Sequence, residues 1–553
     1  MRASLLTKVL VKALRLGPLR PLQVGAREGF GSFHSDDIEK LIGFSSEKYE
    51  APEVHWEVTS KTLPQSMLAT IGQMKFGEEI RSALFTLDPS FVFLNHGAFG
   101  AAMRPLQLEA EAWRRHLESQ PLRFYDRQLL PLVVHSIRHV ASYLGCSAKE
   151  LLPLTNVTTG LNAVFSSLEP FLGPGDVVAC TSLTYGSTKK MLAVLADRTG
   201  CSLLVVPISL PISARADSMV ANVVDGVGGC TSRLRLLVID SVTSNTAIKM
   251  PVGRIARAVR KRQSSWRSDL IIVADAAHSL QLDGDIRFPT TRTKMPSCTG
   301  TQDTDTYTNP DDENSLEGID AWITNGHKWA CMPKGVAFMW TSPRLSAILR
   351  PCVVSHGFSI PVPVASFYPT RGADARLGDG GRLLSGFAWD GCRDYAAFLT
   401  APSALAIWNV LTGAREYNAR LLMAGKWLNL DHSSSFHINQ QQSYLAAAVL
   451  LEDWRPSPPL SLVDLSAHLL PNDTSGFAGS MLLIPLPDKV CGVVTTCGCT
   501  DNEAFQLQNK LHYTGFEIPV KCIQGRLFLR LSSHVYNSLD QYQALAKCVK
   551  SMK

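Results

Sequence analysis

Four short apolar runs recur through the middle of the chain: VVACTS (177–182), SLLVVPI (202–208), LRLLVIDS (234–241) and LIIVADAA (270–277). Runs of this length, uniformly apolar rather than alternating, predict strands covered on both faces. Helical candidates lie between them, GSTKKMLAVLADRTG (186–200) and MPVGRIARAVRKR (250–262). Strands joined through helices favour parallel neighbours, whereas a tight turn would make them antiparallel. The chain therefore reads as α/β, with a large, mostly parallel sheet covered by helices. In such sheets ligands bind beyond the carboxyl ends of the strands.

Around this region the pattern changes. Residues 36–90 form a weakly periodic lead-in. FVFLNHGAFG (91–100) reads as a short strand running into a Gly-rich turn, followed by amphipathic helices at 105–118 and 129–145. A large domain over 91–400 is expected, interrupted at 289–317 by a polar, Thr- and Asp-rich insertion that reads as disordered. Another irregular stretch covers about 355–384. Beyond 401, helical PSALAIWNVL and YLAAAVLLEDW precede strand-like SMLLIPLP and GRLFLRLSS, which suggests a smaller α+β domain over 401–553.

The 553 residues are 45% hydrophobic and 18% charged, the balance of a globular protein. No apolar run reaches 18 residues, so no membrane insertion is expected. The net charge of +6 has a local origin: Arg2, Lys8, Lys12, Arg15, Arg20 and Arg27 precede the first acid, Glu28. Residues 1–35 then read as a mitochondrial transit peptide addressing the matrix; the alternative is a surface tail on a cytoplasmic protein. The remainder is close to neutral and suggests no nucleic-acid surface. The 13 cysteines lack metal-binding spacing and read as reduced residues, and no metal site is expected.

One motif asks for chemistry. In TNGHKWACMPKG (324–335), Lys328 follows an apolar run and is flanked by Trp329 and Met332. A desolvated lysine is expensive, so the setting suggests a working amine. Other polar groups fall at strand ends: Asp275 and His278 in LIIVADAAHS, Ser244 and Asn245 in LRLLVIDSVTSN, and Tyr185 in TSLTYGST. Thr158 and Thr159 open a helix in TNVTTGLNAV, where free amides favour a phosphate. Taken singly, each has a plain reading: a strand-end cap, a helix start, a hydrogen-bonded histidine, a rim tyrosine. Together they make the set that pyridoxal phosphate chemistry needs: an amine for the Schiff base, a carboxylate for the ring nitrogen, and donors for the phosphate.

The ordered motifs FLNHGAFG, TNVTTGLNAV, DSVTSNTAIKMPV, DAAHS, TNGHKW…PKG and WDGCRDYAAF resemble those of the class V aminotransferase superfamily. Within it they are most similar to the isopenicillin N epimerase-like and L-cysteine desulfhydrase-like branch. The resemblance implies a fold-type I enzyme dependent on pyridoxal 5'-phosphate, a small amino-acid substrate, and a homodimer. It implies Lys328 as the Schiff-base lysine and Asp275 as the partner of the ring nitrogen. His278 and Asn245 are expected near the phenolic oxygen, and Tyr185 on the ring face. Thr158, Thr159 and His327 would serve the phosphate, with Asn325 standing where relatives place a serine. Arg530 would grip the substrate carboxylate, with Asn95 and His96 also on the substrate side. Where the family has Gly-Thr-Arg-Asp, this chain has Gly391-Cys392-Arg393-Asp394. The Gly391 amide could still reach a neighbouring subunit's phosphate, but a thiol is the poorer donor.

Cys522 precedes Arg530 but sits in the strand-like IPVKCIQGRL, so a persulfide-forming desulfurase is disfavoured. The expected reaction is α,β-elimination from cysteine or a related thio-amino acid. An epimerase or aminotransferase, and a non-catalytic member of the fold, are the alternatives.

Overall fold

The computed structural model describes residues 38–52, 63–208, 216–230, 233–262, 269–280, 286–289, 315–358, 383–411, 481–487 and 489–552. Strand β1 (Val92–Phe93) stands apart from the large sheet. That sheet comprises β2 (Leu151–Leu154), β3 (Val177–Thr181), β4 (Ser202–Val206), β5 (Leu234–Asp240), β6 (Ile271–Asp275), β7 (Ala321–Asn325) and β8 (Ala337–Thr341). Their spatial order is β2-β8-β7-β6-β5-β3-β4. From β4 through β7 each neighbouring pair is parallel, while β8 and β2 continue the sheet antiparallel. The mostly parallel sheet expected from the four apolar runs is therefore present, with an antiparallel edge added.

Helices Gly186–Thr199 and Val252–Arg262 occupy the connections after β3 and β5. The residues of β3, β6, β7 and β8 are all buried, whereas β4, equally apolar in sequence, is partly exposed. Its place at the sheet edge decides this, not its composition. Helix Val157–Leu168 lies close on the sheet at Gly160. A Cβ there would come within 2.6 Å of Leu154 and 2.8 Å of Ile323, so Gly160 lets the helix start approach the end of β7.

A smaller core forms on β9 (Met481–Pro485), β10 (Lys489–Val490), β11 (Val493–Val494), β12 (Phe516–Glu517), β13 (Val520–Ile523) and β14 (Arg526–Ser532). Strands β13, β14 and β9 pair antiparallel, and β12 pairs parallel with β1, tying residue 92 to the C-terminal part. Capping boxes at Thr500/Glu503 and Ser538/Gln541 begin its two helices, Asp501–Tyr513 and Leu539–Ser551.

Domain limits shift in three places. Leu68, Ile71, Ile80 and Leu84 of the lead-in are buried in the larger core. Helix Ala401–Val410 also belongs there, through Ala404, Leu405 and Ile407, rather than to the smaller body. The expected insertion ends sooner, because Ser315 bridges to Arg287 and Leu316 is buried. Residues 1–35, 290–314 and YLAAAVLLEDW lie outside the described residues. Among those described, no helix is long and apolar enough to cross a membrane.

Candidate active site

The adjacent strands β6 and β7 deliver the central pair. Asp275 ends β6 and is buried; its Oδ1 accepts from the Ala277 amide at 3.2 Å and its Oδ2 from the Thr188 hydroxyl at 3.3 Å. Lys328 sits three residues beyond β7, in a turn closed by the Cys331 amide on the Lys328 carbonyl and the Met332 amide on Gly326. Gly100 packs against this turn. A Cβ there would lie 2.3 Å from the His327 carbonyl oxygen, and φ of +71° also favours glycine.

His278 fixes the state of the amine. Trp329 Nε1, which can only donate, reaches His278 Nδ1 at 3.2 Å. Nδ1 therefore carries the lone pair, and in the neutral ring the proton is on Nε2. That nitrogen lies 3.4 Å from Lys328 Nζ. An Nε2–H can meet Nζ only where the amine offers a lone pair. Burial draws the Lys328 amine down to about 8, assisted by Arg530 and opposed by Asp275. Burial also holds the His278 ring neutral, well below its ordinary range, with the Lys328 charge adding to the effect.

Arg530 enters from β14 and is 3% exposed. Its Nη1 donates to the Ser244 carbonyl at 2.6 Å, its Nη2 to Asn95 Oδ1 at 3.1 Å, and its Nε is buried without a partner among the described residues. Asn95 is held in turn by Glu517. Both of these acceptors are neutral, and burial lowers the guanidinium to about 10. A buried cation without a carboxylate is costly unless a ligand supplies the anion.

The phosphate candidates lie at the start of helix Val157–Leu168. Asn156 caps the Thr159 amide at 2.9 Å, and Asn325 Oδ1 accepts from the Val157 amide at 3.1 Å. The exposed Thr158 amide takes neither partner, and Asn325 keeps only its Nδ2 as a donor. His327 Nδ1 donates to the Val336 carbonyl at 3.0 Å, and burial draws its ring down to about 4. Its Nε2 becomes a donor only if an anion raises that value. A buried amine facing a carboxylate, an uncompensated guanidinium and an open amide at a helix start fit pyridoxal phosphate and an amino-acid carboxylate.

The structure brings together Lys328, Asp275, His278, His327 and Arg530. Tyr185 joins them through its amide on Asp240 Oδ1, at 3.1 Å, and its charge interaction with Arg530; its side chain is half exposed. Asn245 is exposed, next to the carbonyl that holds Arg530. The Gly391 carbonyl accepts from the Tyr395 hydroxyl at 2.9 Å. The substrate-side role expected for His96 does not fit its contacts. Its Nε2 donates to the Lys328 carbonyl at 3.0 Å and its Nδ1 takes the Tyr536 hydroxyl at 2.8 Å. Buried and drawn down to about 3, it braces the turn from behind.

His96, Cys331 and His534 place three potential metal ligands within 4.8 Å of one another. The imidazoles, however, are stacked at 4.0 Å and 16°, so their lone pairs run side by side instead of converging. Sequence reasoning missed Thr188, Asp240 and the Ser244 carbonyl. Asp240 was findable by the strand-end rule that gave Asp275; a backbone acceptor leaves no signal in composition.

No protein-family profile matches the chain. It is 25% identical over 471 residues to isopenicillin N epimerase of Amycolatopsis lactamdurans, covering 84% of this chain and 96% of that protein. It is 22% identical over 489 residues to L-cysteine desulfhydrase of Arabidopsis thaliana, covering 83% and 87%. Among solved structures, a complex of the cystine C–S lyase C-DES with cysteine persulfide matches with a TM-score of 0.55 at 15% identity, over 84% of this chain and 98% of that one. The cysteine desulfurase of Thermococcus onnurineus NA1 matches with a TM-score of 0.56 at 14% identity, over 87% and 99%. The chain is thus a distant relative of proteins named isopenicillin N epimerase and L-cysteine desulfhydrase, and it shares the fold of the C–S lyase and cysteine desulfurase structures.

Proposed function

We propose that the chain is a pyridoxal 5'-phosphate-dependent lyase that cleaves the C–S bond of L-cysteine or a related thio-amino acid. With water, α,β-elimination gives pyruvate, ammonia, and sulfide or a thiol. The observation that carries the reading is a buried amine, Lys328 Nζ, held by a neutral His278 in the same site as a guanidinium with no acidic partner among the described residues. Relatives named L-cysteine desulfhydrase support the substrate class.

Lys328 would hold the cofactor, with Asp275 at its ring nitrogen, His278 and Asn245 at its phenolic oxygen, and Tyr185 on its face. The Thr158 and Thr159 region, Asn325 and His327 would serve the phosphate. When bound, the cofactor supplies an electron sink for the α-carbon. Arg530 binds the α-carboxylate and fixes the amino acid beside Lys328. Lys328, neutral over much of the range near pH 8, accepts the α-proton. His278 holds Nζ in place, and the Trp329–His278 contact keeps the ring in one tautomer.

A desulfurase would need a thiol at the substrate. Cys522 pairs with Leu527 in a hairpin and its thiol donates to the Cys499 carbonyl. Cys331 is buried against His534 behind the turn. The named epimerase relatives keep epimerisation as the second reading. The reading includes a homodimer, supported by the likeness of the DGCRDY segment to the family's motif, and a mitochondrial address, supported by the acid-free start of the sequence.

The test is the visible absorption of the purified protein before and after L-cysteine. A protein-bound cofactor band is expected, abolished by Lys328→Ala, with pyruvate accumulating on cysteine addition. A D-amino acid as the only product would replace the lyase by the epimerase. No band after adding pyridoxal phosphate would overturn both.

A further inference from the structure

Asp240 closes β5 and Asp275 closes β6, and the two are direct partners in the parallel ladder. They are 3% and 4% exposed. Asp275 is supported on both oxygens, by Thr188 and by the Ala277 amide, with Lys328 nearby; burial pushes its carboxyl up as well, and these contacts oppose the rise. Asp240 spends Oδ1 on the Tyr185 amide and has the Thr184 hydroxyl beside its carboxylate. Its Oδ2 is buried without a hydrogen-bond partner of good geometry among the described residues, and no cation among them stands by it as Lys328 does by Asp275. Two adjacent buried carboxylates cannot both stay ionised cheaply, and the less supported one takes the proton.

The structure assigns Asp240 as a positioning residue: it holds a proton at Oδ2, which leaves Asp275 the single anion of the pair, and its Oδ1 anchors the Tyr185 turn. This deepens the proposed function, on which its catalytic meaning rests; the protonation itself does not depend on a cofactor.

The surrounding charges agree with the assignment. Lys328 stands near Asp275 at the end of β7. On β3, Cys180 faces Asp240, and burial pushes its thiol up to about 11, so it remains neutral. Lys189 also lies near Cys180, but its amine donates to the Ser182 carbonyl. His278 is held neutral by burial. Burial, and then the Asp275 charge, push Asp240 well above the usual carboxylate range.

The experiment is infrared spectroscopy of the full-length protein as purified, with 13C-labelled aspartate to separate these groups from Glu109. A protonated aspartate C=O band is expected at neutral pH, persisting as pH is raised to 8, and lost in Asp240→Asn. In the cofactor-loaded protein, Asp240→Asn is expected to keep the pH midpoint of the cofactor absorbance, because an amide replaces a neutral acid. Absence of the band in the unsubstituted protein overturns the assignment without any variant needing to fold. A midpoint moved by about one unit or more in Asp240→Asn overturns it as well, since a charge would then have been removed. A protein with the acid band and no cofactor band would keep the protonation and sink the proposed function.

Discussion

Arg530 is the residue whose chemistry is least explained by the protein alone. Among the described residues its fork is held by one carbonyl and one amide oxygen, and its Nε is left over. Removing such a charge takes away substrate affinity and a buried desolvation cost together. Arg530→Gln is therefore expected to lower kcat/KM for amino acids by about 100-fold, mainly through KM, as for a lost charge-assisted pair. The same variant should leave the ligand-free protein as stable, or about 1 kcal/mol more stable, in urea unfolding. A drop of several kcal/mol would mean that Arg530 is structural. Lys328 gives a second prediction. With its amine drawn down to about 8, the neutral form grows as pH rises and saturates above that value. The rate at which cofactor-free protein takes up pyridoxal phosphate should rise about tenfold per unit from pH 6 and level off above about 8. A rate still climbing at pH 10 would describe an ordinary solvated lysine.

Among the elements, helix Arg104–Ser119 carries a cost of its own. Both Glu109 carboxylate oxygens are buried, with Ser403 of helix Ala401–Val410 and Trp113 beside them. Burial pushes Glu109 up to about 7, against its ordinary 4.5, and those two neighbours only partly oppose the rise. The folded state then binds the proton more tightly than the unfolded state. Stability is unaffected below about 4.5, falls as pH rises from there to about 7, and is lower by about 3 kcal/mol beyond. Glu109→Gln should remove this slope, stabilising the protein at pH 8 and changing little at pH 4.5; urea unfolding at both values measures it. Equal effects at the two values would show that packing, not protonation, governs the site.

At the scale of the molecule, the site joins the two cores. Arg530 belongs to the smaller body, and its partner Ser244 follows β5 of the large sheet. A substrate carboxylate on Arg530 would therefore bind across both. A carboxylate-bearing amino-acid analogue at 100 times its Kd should stabilise the cofactor-loaded protein by about 2.7 kcal/mol. Arg530→Gln should abolish this shift at the same analogue concentration. A shift retained in the variant would place the carboxylate elsewhere. The proposed homodimer would appear in light scattering at twice the 60.4 kDa chain mass.

Local pattern was enough to reveal the parallel sheet, because a strand covered on both faces is apolar over most of its length, as β3, β5 and β6 are apart from Arg235 and the polar residues that end them. It also located Asp275 and Lys328, because polar residues that end or follow buried strands stand out against their surroundings. It could not show that β4 would lie at the edge, since sheet order is set by contacts between distant segments and not by the strand's own residues. Nor could it show that His96 would spend both nitrogens on Lys328 and Tyr536, the latter 440 residues away. The pairing of Asp240 with Asp275 and the lack of an acid beside Arg530 among the described residues are likewise facts of assembly. A side chain's charge is written in the sequence, but what it costs depends on the neighbours that only tertiary structure supplies.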